Sequence, residues 1–198
     1  MNNILLKPTC YMNDAAFDWL YPERIQLLSR RHWTPLSVAK KAARFLADAP
    51  GRKILDIGSG VGKFCLVGAR FFPEAHFCGV EQRRELYYYA LAAKEATRTG
   101  NVDFINANFT QIDLSEYDGF YFYNAFFENL DDNDRIDQQI EYSSSLYVYY
   151  SRYLFKALDS KPSGTRLVTF HSMENEVPPS YQVVDASIDL LLKMWVKR

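Results

Sequence analysis

Two regimes of apolar spacing divide the chain. Over residues 14–49 the pattern reads as helical, and Pro22 and Pro35 mark where segments begin, because proline is tolerated in a first turn and disruptive inside a helix. After the turn signal Pro50-Gly51, short β-rich runs alternate with longer helix-like ones. Strands are expected at 53–57, 76–80, 103–106 and 119–123, and helices at 62–72 and 83–97. Such alternation specifies a parallel sheet covered on both faces by helices.

Farther along, Ile136, Ile140, Ser144, Tyr147, Tyr150, Leu154 and Leu158 recur every three or four positions, which predicts one helix over 135–158. Asp131, Asp132 and Asp134 would stand at its amino end, where negative charge suits the helix dipole. Pro162-Ser163-Gly164 then turns into a strand at 165–170, and strands at 181–186 and 190–196 with a short connection predict an antiparallel hairpin at the sheet edge. The expected fold is α/β: a doubly wound, mostly parallel seven-stranded sheet with a terminal antiparallel hairpin. Residues 1–49 form an N-terminal helical lead-in and 50–198 the ligand-binding domain of a single unit.

Composition narrows the class. With 48% hydrophobic and 24% charged residues, neither disorder nor a membrane span is indicated. The opening MNNILLKPTC lacks the basic leader and long apolar segment of a secretory signal, so a cytoplasmic location is expected. Cys10, Cys65 and Cys78 lack metal-ligand spacing and read as reduced thiols; His32, His76 and His171 are likewise unsuited to a metal site. Net charge is −1, which gives the whole protein no attraction for nucleic acid or anionic membranes. Its distribution is uneven: residues 24–44 hold six basic residues and no acid, whereas residues 113–141 hold nine acids against Arg135 alone.

The chemistry concentrates in Asp56-Ile-Gly-Ser-Gly-Val-Gly62, between the first strand and its helix. A phosphate-cradling NTPase loop wants a different glycine spacing and a hydroxyl where Phe64 stands. A dinucleotide fold wants a small residue where Lys63 stands. S-adenosylmethionine offers an ammonium and a ribose diol, so it explains a carboxylate ahead of the loop, Asp56, and another at the end of the second strand, Glu81.

The loop resembles the D/E-x-G-x-G-x-G element of class I, Rossmann-like S-adenosylmethionine-dependent methyltransferases, and Gly79-Val-Glu81 resembles their acidic second-strand end. The resemblance implies that S-adenosylmethionine is the cofactor, held by Asp56, Gly58, Ser59, Gly60, Glu81 and Gln82. Trp33-Thr34-Pro35 resembles an aromatic-Thr-Pro element of amino-methylating members, putting Thr34 near the methionyl end; a helix N-cap is the other reading of that threonine. Asn108 would accept from the adenine amine and Phe109 would stack on the ring.

Tyr123-Asn-Ala-Phe-Phe-Glu128 resembles the N-P-P-aromatic loop of amino methyltransferases without either proline. By that resemblance Asn124 orients a nucleophilic nitrogen and Phe127 packs the substrate. The function implied is methyl transfer to a nitrogen, on a protein lysine or a small amine, with a small-molecule O-methyltransferase or a non-catalytic cofactor-binding module as alternatives. The acids Glu128, Asp131, Asp132 and Asp134 after this loop suggest a cationic or amine-bearing acceptor, with nucleic acid and membranes disfavoured. His171, ending the fifth strand, is a further candidate substrate contact or base.

Overall fold

A computed structural model describes residues 8–198 of the protein; the first seven residues, on which the expectation of no leader partly rests, lie outside the described residues. Four short helices lead in: α1 (Asp14–Asp18), α2 (Glu23–Gln26), α3 (Ser29–His32) and α4 (Leu36–Leu46). The alternating part follows as β1 (Lys53–Ile57), α5 (Lys63–Phe71), β2 (His76–Glu81), α6 (Arg84–Thr97), β3 (Val102–Asn106) and β4 (Gly119–Tyr123). It ends with α7 (Ser144–Asp159), β5 (Arg166–Phe170), β6 (Tyr181–Ala186) and β7 (Leu192–Lys197). Among the described residues no helix is long and apolar enough to cross a membrane.

The seven strands form one sheet in the order β3-β2-β1-β4-β5-β7-β6. The first five run parallel, and β7 is antiparallel to both β5 and β6. The expected terminal hairpin is therefore present, with its second strand paired inward and β6 left at the edge. Alternation along β1 sends Ile54 into the core beneath α4 and α5, and Leu55 and Ile57 into the opposite core beneath α7. Chain order reverses between β1 and β4, and a crevice opens at their carboxyl ends.

The lead-in shares the first of these cores, where Phe17, Ile25 and Trp33 join Val61 and Phe64. It is also fastened to the turn after β1. Tyr21 Oη donates to the Val61 carbonyl at 3.0 Å. The buried Lys63 ammonium lies 2.7 Å from Asp14 and 3.1 Å from Asp18, with the rings of Phe17 and Trp33 beside it. Lys63, unsuited to a dinucleotide fold, serves here to hold the lead-in.

The helix expected over 135–158 begins only at Ser144. Ser143 is its N-cap, accepting from the Leu146 amide at 3.1 Å, so the chain before it is freed from helical geometry. Ile136 and Ile140 do face the interior, but as an irregular wall of the crevice. The acids Asp131, Asp132 and Asp134 accordingly sit in and beside a short 3-10 turn (Asp132–Asp134), and not at the α7 dipole. The last strand starts at Leu192 because Leu190 has φ 61° and belongs to the turn.

Candidate active site

The crevice has a volume of about 370 Å³ and is walled by the carboxyl ends of β1 to β5, the end of α3 and the 124–142 segment. That is the size range of a pocket for one small-molecule ligand. Gly58, Gly60, Glu81, Gln82, Asn108, Phe109, Asn124 and Phe127 all line it, so residues spread over seventy positions of sequence converge there.

The glycine loop is shaped for close approach. Gly60 has φ +53° with nothing within 4 Å of where a Cβ would be, which leaves open space above its backbone. At Gly58, φ +78°, a Cβ would lie 2.6 Å from the Ala125 methyl, so the loop and the segment after β4 touch across this glycine. Glu81 pins the arrangement: one carboxylate oxygen accepts from the Gly60 amide at 2.9 Å and the other from the Arg83 amide at 2.7 Å. Burial pushes the Glu81 pKa up, opposed by these amides and the Arg83 charge. Its remaining lone pairs are available to a pair of ligand hydroxyls.

Other expected contacts take different positions. Asp56 faces α5 and does not line the crevice; its side-chain partner is the Cys65 thiol, 3.6 Å away. Burial, opposed by that thiol and reinforced by the Glu81 charge, raises its pKa to about 8. Ser59 points its buried hydroxyl at Gly79. Thr34 shares a 2.8 Å hydrogen bond with Tyr121 Oη beneath the loop, and gives α4 no side-chain cap. Asn108 lines the crevice with its side chain already engaged. Its carbonyl oxygen already accepts from the Thr110 amide and hydroxyl at 3.1 and 2.9 Å, and its amide group donates to Gln82 and Tyr150. Phe109 stacks on Phe126 at 5.0 Å, leaving it partly a core residue.

After β4, Asn124 adopts φ 42°, and its side chain has no hydrogen-bond partner among the described residues. Its carbonyl accepts from the Phe127 amide at 3.1 Å, closing a turn that presents both residues to the crevice. His171 ends β5 in a similar left-handed conformation, φ 52°, with its ring against Tyr123 and Phe170. Both positive-φ residues stand at the carboxyl edge of the sheet, where folds of this kind bind ligands.

Several wall residues escaped the sequence reading: Arg83, Tyr142 and Tyr150 among them. Arg83 carried a signal, a cation two positions beyond the acidic strand end. Tyr142 and Tyr150 were hidden inside the helix periodicity. The acidic rim also differs from expectation, because arginines pair with three of its four acids. Glu128 pairs with Arg83 at 2.5 Å, Asp134 with Arg31 at 3.2 Å and Asp132 with Arg135 at 2.7 Å. Arg30, Arg31 and His32 meanwhile line the same crevice.

The residues present fit S-adenosylmethionine: an open glycine cradle, a pinned carboxylate with free lone pairs, and an aromatic face at Phe109. Known proteins agree. Residues 51–117 match the family model described as "Putative methyltransferase". A curated relative, tRNA (guanine-N(7)-)-methyltransferase of Anaeromyxobacter dehalogenans, is 52% identical over 54 residues, which is 27% of this chain and 26% of the relative. The match thus spans about a quarter of that protein's length.

Two solved structures share the fold. An RNA methyltransferase from Salinibacter ruber, in complex with S-adenosyl-L-homocysteine, has 23% identity and a TM-score of 0.55 over 83% of this chain and 92% of its own. Magnesium protoporphyrin IX methyltransferase from Synechocystis PCC 6803, with bound S-adenosylmethionine, has 15% identity and a TM-score of 0.56 over 100% and 98%. The tRNA methyltransferase match overturns the expectation that nucleic acid is disfavoured, and the arginine-paired rim is the physical reason the acid count misled. The sheet order, the glycine loop clamped by Glu81 and the family model matched over residues 51–117 make this chain similar to the class I, Rossmann-like S-adenosylmethionine-dependent methyltransferases.

Proposed function

We propose that the protein transfers a methyl group from S-adenosylmethionine to an exocyclic amine of an RNA base, the amine losing a proton to solvent as the carbon–sulfur bond breaks. When bound, the cofactor supplies an electrophilic methyl on a sulfonium, and the reaction is an in-line displacement that needs alignment and exclusion of water more than a dedicated triad. The chain's own residues provide that alignment. Glu81 holds the sugar hydroxyls, the Gly58 and Gly60 backbone lets the ligand lie close, and Phe109 covers a flat ring. Asn124 accepts a hydrogen bond from the target nitrogen and so aims its lone pair, while Phe127 packs the base.

The observation that carries the reading is the unpartnered Asn124 side chain, held at φ 42° on the lip of the cofactor crevice. Asn tolerates this conformation better than most residues, yet the amide makes no local bond to justify it. The RNA assignment is supported by the tRNA-methylating relative and by Arg30, a cation lining the crevice and suited to a phosphate beside a target base. Arg30 has no ion-pair partner among the described residues.

Tritiated S-adenosylmethionine offered with bulk tRNA, ribosomal RNA, protein and small-molecule fractions tests it, followed by nucleoside digestion and mass spectrometry. The expected product is an N-methylated nucleoside that disappears with Asn124→Ala. Label confined to protein or small molecules would overturn the RNA assignment.

A further inference from the structure

Arg83 occupies an unusual place between the cofactor side and the acceptor side of the crevice. It is buried, with a side chain 5% exposed, immediately beyond the β2 end that supplies Glu81. One of its terminal nitrogens donates to Glu128 at 2.5 Å and to Tyr142 Oη at 2.7 Å. The other stands 4.0 Å from Glu81, and its Nε lies 3.3 Å from Asp137 without hydrogen-bond geometry. Burial alone would lower the guanidinium pKa, but Glu128 and Glu81 outweigh it and the charge is held firmly.

Glu128 extends the network into the irregular wall. The oxygen that meets Arg83 also accepts from the Ile136 amide at 3.0 Å and from Tyr142 Oη at 3.3 Å. Tyr142 in turn bonds to the Asp137 carbonyl at 2.9 Å. The wall from Glu128 to Tyr142 has little regular structure; Glu128 and its cation hold it at Ile136 and Tyr142, and Arg31 holds it at Asn133 and Asp134. Glu128 lies one residue beyond Phe127, so whatever moves it moves the acceptor turn. A buried ion pair contributes little net stability and is best rationalised by the arrangement it fixes.

We propose that Arg83 is a positioning residue that couples occupancy of the ribose carboxylate, Glu81, to the placement of the acceptor turn and the 128–142 wall. This rests on the reading of Glu81 as the sugar contact. A ligand diol that donates to Glu81 takes up part of that carboxylate's charge, so Arg83 binds Glu128 more tightly. A guanidinium reaches both groups at once, whereas an ammonium, being a single point charge, cannot.

The test is amide hydrogen exchange of the full chain with and without S-adenosylhomocysteine, alongside calorimetry and methyl transfer to bulk tRNA. In the natural protein the ligand should slow exchange of the Ile136 amide at least five-fold. In Arg83→Gln and in Glu128→Gln that slowing should vanish while the ligand still binds within about ten-fold, and the KM for tRNA should rise more than the turnover number falls. Arg83→Lys should restore folding and basal Ile136 protection without restoring the response to ligand. If Arg83→Gln fails to fold, Glu128→Gln and Arg83→Lys carry the test. Ligand-dependent protection of Ile136 that persists in these variants overturns the coupling alone. No binding of S-adenosylhomocysteine to the natural protein overturns the cofactor reading and the coupling with it.

Discussion

Asp56→Asn should make the ligand-free protein more stable, and by an amount that grows with pH. Asp56 is 4% exposed, and among the described residues it has no cation beside it and only a weak thiol donor at 3.6 Å. Its pKa therefore rises from 3.8 to about 8 through burial, with Cys65 opposing and Glu81 adding to the shift. The folded chain keeps this proton up to that pH, whereas the unfolded chain releases it near the ordinary carboxyl value. Between the two values the native state binds more protons, so stability falls as pH rises and levels off above the folded pKa. From pH 5 to pH 8 the wild-type penalty from this one group grows by about 4 kcal/mol as an upper bound, at about 1.4 kcal/mol per pH unit.

Asparagine mimics the neutral acid in size and carries no such penalty. Urea denaturation of both proteins at pH 5, 6, 7 and 8 should show the difference in unfolding free energy widening steadily in favour of Asp56→Asn. A difference independent of pH would refute the reasoning, since it would mean that Asp56 is ionised in the folded chain throughout. Calorimetry of S-adenosylhomocysteine binding in buffers of different ionisation heat adds a second reading. Proton release by wild type at pH 7, absent in Asp56→Asn, is expected if the ligand's ammonium comes within reach of this carboxyl.

Asn124→Gly should stabilise the fold by about 0.5–1 kcal/mol, because glycine takes φ 42° without strain, while methyl transfer falls at least a hundred-fold; equal activity in rapid labelling assays would remove the role given to the amide. Gly58→Ala should cost about 1–3 kcal/mol through its contact with Ala125 at 2.6 Å and its positive φ. Its effect on tRNA KM, read beside its effect on S-adenosylhomocysteine affinity, reports how tightly the acceptor turn is packed on the cofactor loop.

Strand and helix boundaries in the alternating region were legible because β1, β2 and β4 are buried runs bounded by strong turn residues, and β1 and β4 appear at their expected limits. The region from Leu130 to Ser143 was not legible. Ile136 and Ile140 keep helical spacing, but one carboxylate, Glu128, captures the Ile136 amide, and Ser143 starts the real helix. Local periodicity carries no information about a hydrogen-bond acceptor eight residues away in sequence. Charge was misread for a related reason. The acid-rich stretch after β4 predicted a negative rim, while arginines that pair with its acids come from Arg83 and from the lead-in at Arg31, brought there by folding.

By itself the sequence determined the class of sheet, the glycine turn after its first strand and the acids flanking it, because a glycine run after a strand is a local backbone requirement. Only the tertiary structure decided what those acids do. It sends Asp56 under α5 as a buried proton store, clamps Glu81 on the Gly60 amide, and sets Arg83 between two carboxylates forty-seven positions apart. The direction in which a side chain points across a sheet, and the company it meets there, depend on contacts that no spacing along the chain encodes.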